Sequence, residues 1–321
     1  MIALLRRTVW SLATLPPLRR VPIILLCLAC LAAHAQTAAE SRRQLLQYLQ
    51  SGQLRDAVLL GQQTVSRWPK DPLFRHYLGV AYFKSGDAKQ AREQLLRARD
   101  LDPQDSATHF DLALVLFSEQ DYPAAATELE TTIQIAPSNA PAHLLLGRVD
   151  LSSNRDLQAI EEFKTALKLD PAINRGHYIL GSAYASLGRN DEAIAEYKAE
   201  LQRSGEHPEV VYQLGHSLLE SGKTEEAITH LERAAQLDPK NSEVWYNLGK
   251  AQVLAGHAAQ AETALKKSIQ LNPKDPSPHY QLARALEKLG RTEEARQEQQ
   301  RFTELRKAQP ASTGMATAGD R

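Results

Sequence analysis

The chain has 321 residues, 43 % of them hydrophobic and 24 % charged, with 38 basic and 38 acidic side chains. That composition is ordinary for a folded soluble protein, and the length suits one or two domains. The zero net charge hides an asymmetry. Residues 1–35 hold Arg6, Arg7, Arg19 and Arg20 and no acid, which leaves 34 basic and 38 acidic side chains after them. A mildly acidic body gives no electrostatic case for a nucleic-acid partner.

Residues 1–35 read as a secretory signal peptide. Basic residues end at Arg19-Arg20, an apolar run extends from Val21 to Ala33, and Ala33-His34-Ala35 is a small-x-small triplet of the kind signal peptidase cuts. The run is short for a bilayer span, although the uncharged stretch continues to Ala39. Three fates stay open: cleavage after Ala35, retention as an uncleaved anchor, and lipidation at Cys30. Each would place the protein in the periplasm or cell envelope. Cys27 and Cys30 are the two cysteines. Leu31 stands where a haem-attachment motif needs His, so the pair reads as apolar filler of the leader.

From Ala38 onward the sequence repeats every 34 residues, with frames starting at Ala38, Pro72, Ser106, Ala140, Asn174, Pro208, Ser242 and Pro276. Frame position 20 is Ala eight times: Ala57, Ala91, Ala125, Ala159, Ala193, Ala227, Ala261 and Ala295. Position 7 is Leu from Leu78 to Leu282, and position 8 is Gly or Ala from Gly79 to Ala283. Positions 4, 7, 8 and 11 share one face of a first helix, and positions 20, 24 and 27 share one face of a second. Small residues at 8 and 20 let the two backbones approach. Gly at 15 suits the left-handed end of a first helix, as at Gly86 and Gly222. Pro at 32, as at Pro103 and Pro239, stops the second. One such hairpin cannot bury its apolar face alone, so hairpins must stack.

Gly181-x-x-Tyr184, Trp245-x-x-Leu248-Gly249 and the Ala159–Ala166 pattern resemble the tetratricopeptide repeat family, of the exported bacterial type. The resemblance covers residues 38–307. It implies an all-α, right-handed superhelical solenoid of about eight 34-residue helix-turn-helix repeats. The repeats would occupy 38–71, 72–105, 106–139, 140–173, 174–207, 208–241, 242–275 and 276–309. The polar second helix of the last frame looks like a cap. In the fifth frame Glu200 replaces the usual Ala and Gly205 the closing Pro, so the Ser204–His207 junction should be looser. Residues 310–321 lack periodicity and read as a disordered tail.

Eight frames consume the chain and leave no stretch long enough for a catalytic domain, so the expectation is a non-catalytic protein without cofactor or metal. Gly222-Lys223-Thr224 lacks the upstream Gly of a phosphate-binding loop, and Ser217 stands in its place. His109, His143 and His177 recur at position 4, with His279 further on. Equivalent positions in stacked hairpins lie about 8–10 Å apart, too far for shared ligation, so these read as packing histidines.

The resemblance further implies that first helices line a concave groove, with frame positions 2, 5, 6, 9, 12 and 13 facing inward. Position 5 carries Tyr178, Tyr212, Tyr246 and Tyr280; position 6 carries Gln213, Asn247 and Gln281; position 9 carries His216, Lys250 and Arg284. Amides bond a peptide backbone without reading its sequence, and tyrosines add flat area with a polar tip. Two readings of position 5 stay open, a ligand wall and packing between first helices. The N-terminal frames are greasier, with Tyr77, Val80, Phe83, Phe110, Leu114, Phe117, Leu144 and Leu145. The family's carboxylate clamp wants Lys at 5 and Asn at 9, and no frame has either. The expectation is a scaffold or adaptor holding a protein or extended peptide, with a membrane reached only through the anchor or a lipid on Cys30. The alternative is a regulatory or substrate-docking subunit of an envelope enzyme, such as a polysaccharide or glycosyl transferase.

Overall fold

The computed structural model describes residues 37–308; the leader and the tail lie outside the described residues. Among the described residues there are sixteen helices and no strand. They pair as hairpins: α1 (37–50) with α2 (Leu54–Arg67), α3 (Pro72–Lys84) with α4 (Ala88–Leu101), and α5 (Ser106–Ser118) with α6 (Tyr122–Ile135). Then come α7 (Ala140–Ser152) with α8 (Asp156–Leu169), and α9 (Gly176–Ser186) with α10 (Asn190–Ser204). The last three pairs are α11 (Pro208–Glu220) with α12 (Thr224–Leu237), α13 (Ser242–Ala255) with α14 (Ala258–Leu271), and α15 (Ser277–Lys288) with α16 (Thr292–Ala308). The fold is therefore an all-α repeat array.

The chain divides into two compact units, one up to Ser138 and one from Asn139 onward. Within each unit a helix packs on its neighbours in sequence, and first helices also touch the first helix of the next hairpin. Second helices make no comparable contact with one another. First helices therefore form one layer and second helices another.

The hairpin geometry follows from the repeated residues. A Cβ added at Gly79 would come within 2.6 Å of Leu95, at Gly147 within 2.5 Å of Phe163, and at Gly249 within 2.5 Å of Leu265. The bulky residue at position 24 thus sits in the space that a side chain at position 8 would fill. The Ala at position 20 is wholly buried in seven of the eight hairpins and 2 % exposed at Ala295. First helices end in a left-handed residue. Gly serves at φ 90° in Gly86 and 78° in Gly222, whereas Gln120 (63°) and Asn154 (57°) adopt the same conformation without being Gly.

A carboxylate or amide just before a first helix caps it. The side chains of Asp71, Asp105, Asn139 and Asn241 each accept from a backbone N–H in the first turn. Ile173 and His207 hold the equivalent positions before α9 and α11, where no side-chain cap forms. At the second of these, α10 ends on Gly205 at φ 78°. The Glu200 carboxylate is buried there and accepts from Ser204 Oγ at 3.0 Å and from the Tyr178 N–H at 3.3 Å.

Candidate peptide-binding groove

The candidate groove residues sit on the first-helix layer of the second unit, and the structure divides them into two sets. One set bonds successive repeats together. The Tyr178 hydroxyl donates to Glu209 Oε1 at 2.5 Å, the Arg175 guanidinium holds the other oxygen of Glu209 at 2.7 Å, and the same guanidinium lies 4.3 Å over the Tyr178 ring. Burial, reinforced by the Glu209 carboxylate, pushes the Tyr178 phenol up to about 12. The hydrogen bond from Tyr178, and then Arg175, holds Glu209 below the usual carboxylate range. One repeat later Tyr212 is buried, and its hydroxyl accepts from Asn247 Nδ2 at 3.0 Å while facing the Glu243 carboxylate. Burial, then Glu243, also raises its pKa. Asn247 is buried and donates additionally to the Glu243 carbonyl at 3.1 Å. Gln281 is buried too, but its Oε1 accepts from Arg284 of the same helix, at 3.1 Å, and joins no neighbouring repeat.

The other set remains open. Gln213 and His216 line a recess of about 620 Å³ together with Ser182, Ser186, Asn190 and Glu220. These residues come from α9, α10 and α11, so the recess opens on the first-helix layer of two consecutive repeats. Its floor includes Tyr197, whose hydroxyl donates to Ser182 Oγ at 3.2 Å. At its rim Lys250 pairs with Glu220 at 2.9 Å, and that contact depresses the Glu220 pKa. Further along, Tyr246 is half-buried against the core of the last two hairpins, and Tyr280 is exposed with its ring 5.4 Å from Phe302. The structure thus gathers Gln213 and His216 at one place and ties Tyr178, Tyr212 and Asn247 into contacts between repeats.

In the first unit the same face is apolar. Tyr77, Val80 and Phe83 of α3 and Phe110, Leu114 and Phe117 of α5 are all half-buried. Position 5 in α3 is His76, whose Nε2 lies 2.6 Å from Asp111 Oδ2.

The position-4 histidines face the second helix of their own hairpin. His109 Nδ1 lies 2.5 Å from Glu128, His143 Nδ1 2.7 Å from Glu162, His177 Nδ1 2.7 Å from Glu196 and His279 Nδ1 2.6 Å from Glu298. Arg75 and Gln94 make the equivalent bond at 3.1 Å. Sequence reasoning missed this pairing, although a signal for it exists: the acid stands nineteen residues after the histidine each time. Among the described residues no cluster of His, Cys, Asp or Glu could hold a metal ion.

Comparison with known proteins extends these observations. A tetratricopeptide repeat model matches residues 42–106 and 78–141, and a second matches 116–183. The C-terminal domain of cilia and flagella-associated protein 70 matches residues 151–302. None of the curated proteins matches the chain in sequence. Among solved structures, YrrB, described as a tetratricopeptide repeat protein with an unusual peptide-binding site, is 20 % identical at a TM-score of 0.55, over 58 % of this chain and 96 % of that one. The Cut9–Hcn1 heterotetramer of the anaphase-promoting complex is 18 % identical at 0.55, over 88 % of this chain, which spans 59 % of its length. MamA of Desulfovibrio magneticus RS-1 is 20 % identical at 0.52, over 54 % of this chain and 97 % of that one. At these identities the likeness is one of fold.

Proposed function

The chain belongs to the tetratricopeptide repeat family, and from that premise we propose that it is a non-catalytic scaffold that holds an extended peptide or protein against its first helices. The family's fold serves protein–protein interaction. The observation that carries the narrower reading is the recess of about 620 Å³ bounded by Ser182, Ser186, Asn190, Gln213, His216 and Glu220. Its size lies within the range of ligand sites, about 300–1,000 Å³. Beside the Glu220 carboxylate its rim carries hydroxyls, amides and an imidazole, which donate to and accept from a peptide backbone without demanding one sequence. YrrB, whose structure carries a peptide-binding site, shares the fold. The leader pattern of residues 1–35 supports an exported protein of the cell envelope.

Site-specific photocrosslinking tests the groove. A photoreactive residue at Gln213 should capture the partner in cells, and the same residue at Glu226, exposed on α12, should not. Equal capture at both positions rejects the groove. The N-terminus of protein recovered from cells tests export: a start at Gln36 supports cleavage, and an acylated Cys30 supports lipidation.

A further inference from the structure

A second recess, of about 350 Å³, lies where the first helix α13 meets the second helices α12 and α14. It is bounded by Glu232 and Gln236 of α12, Trp245 and Gln252 of α13, and Gln260 and Thr263 of α14. The repeat pattern explains why it is open. Where other hairpins place the bonded pair His109–Glu128, His143–Glu162, His177–Glu196 or His279–Glu298, this hairpin has Trp245 and Ala264. With alanine in place of the acid, the indole has no polar side chain to bond across the hairpin. The ring is held instead by its N–H, which donates to the Pro239 carbonyl at 3.0 Å.

Two polar groups at this recess lack partners. Gln252 is 4 % exposed, and its Oε1 is buried with no hydrogen-bond partner among the described residues. An acceptor left unpaired in that way is destabilising, and a donor that reaches it is favoured. Glu232 is exposed on the rim and forms no ion pair among the described residues. An indole face, an unpaired buried acceptor and an unpaired carboxylate call for a flat cation with several N–H donors. Guanidinium has that form and ammonium does not.

The protein builds this arrangement elsewhere from its own residues. Arg175 lies 4.3 Å over Tyr178 while pairing with Glu209, and Arg189 lies 4.6 Å over Tyr184 while pairing with Glu192. At Trp245 the aromatic ring and the carboxylate are present and the arginine is missing. We propose that the recess formed by Trp245, Gln252 and Glu232 binds the arginine side chain of a partner protein, its guanidinium flat on the indole and paired with Glu232, with the Gln252 amide turning its unpartnered Oε1 out to accept from it. This site is separate from the recess among Gln213 and His216, because the two share no lining residue.

The test follows the indole N–H resonance of Trp245 in the full-length protein, assigned by its loss in Trp245→Phe. N-acetyl-argininamide, N-acetyl-lysinamide and N-acetyl-citrullinamide are the probes, with free L-arginine as a fourth. The arginine amide should shift the resonance saturably, at least about fivefold more tightly than the lysine or citrulline amide. Glu232→Gln, an exposed change that leaves folding intact, should weaken that binding about three- to tenfold. Gln252→Leu should weaken it further. Equal titration by all three amides, or no saturable shift with any, overturns the proposal. Tighter binding of free L-arginine than of the blocked residue overturns the assignment to a partner protein.

Discussion

The first helices of the two units differ in chemistry while sharing one frame. In the first unit α3 and α5 leave Tyr77, Val80, Phe83, Phe110, Leu114 and Phe117 partly exposed. In the second, α9 and α11 open a recess among Ser182, Ser186, Gln213 and His216. Positions 7, 8 and 20 are nearly constant from the second frame onward, because they set the distance between the helices of a hairpin. Positions 6, 9 and 13 vary, because they do not set that distance.

The strongest way to break this comparison is to remove a core ring from one unit. Phe163 is fully buried between α7 and α8, and Phe163→Ala should cost about 3–5 kcal/mol. If the units are separately stable, hydrogen exchange should speed up after residue 139 and stay slow in residues 37–138. Matching acceleration in both would show that they unfold together and would remove the basis for treating them apart.

The histidine pairs sharpen it. His109 and Glu128 are 5 % and 8 % exposed in the first unit, whereas His177 and Glu196 in the second are half-buried. His109→Leu should therefore cost about 1–3 kcal/mol, since it strips a buried partner from Glu128. His177→Leu should cost about 0–1 kcal/mol, because water already reaches that pair. Thermal unfolding of both variants decides the matter, and equal costs would mean that burial does not govern the pair.

High pH should act on the second unit through Tyr178 and Tyr212. Both phenols hold their protons more tightly when folded than the free value of 10. Their contribution is complete below pH 10 and declines as the pH rises, for Tyr178 through about 12. The melting temperature of the wild type should fall across that window. The double variant Tyr178→Phe, Tyr212→Phe should fall less. Parallel curves would mean that neither phenol contributes.

The smallest expected effect concerns the turns. Gln120 holds a left-handed conformation at φ 63° in the first unit, and Asn154 does so at 57° in the second. Gln120→Gly should stabilise by up to about 1 kcal/mol. Asn154→Gly should gain less, since Asn tolerates this region better. A loss of stability at Gln120 would mean that its side chain contributes more than the strained backbone costs.

Much of the fold is legible in the sequence because the residues that space the helices recur every 34 positions. The Gly147–Phe163 contact is the same device as Gly79–Leu95, so the pattern announces itself. The groove is less legible. Tyr178, Tyr212, Tyr246 and Tyr280 look alike in sequence, yet Tyr212 is buried under Asn247 and Tyr280 is exposed beside Phe302. What separates them is how far each first helix is covered by the next, which depends on side chains in the following frame. Asn247 likewise reads as a free amide until its donation to the Tyr212 hydroxyl is seen. The caps at Asp71, Asp105, Asn139 and Asn241 were available to a position-by-position reading of the frame, because all four stand just ahead of a first helix.

Among the described residues, the extensive helix packing within each unit is between helices one or two places apart in the chain. No contact in a hairpin waits for a distant part of the polypeptide, so loop-closure entropy is small at every step and folding should be fast for a chain of this length. Such a chain can also gain structure in the order in which it is delivered. A hairpin emerging from a ribosome or a translocation pore can close on the one before it while the rest is still threading, and its release into the folded state then has no single decisive event.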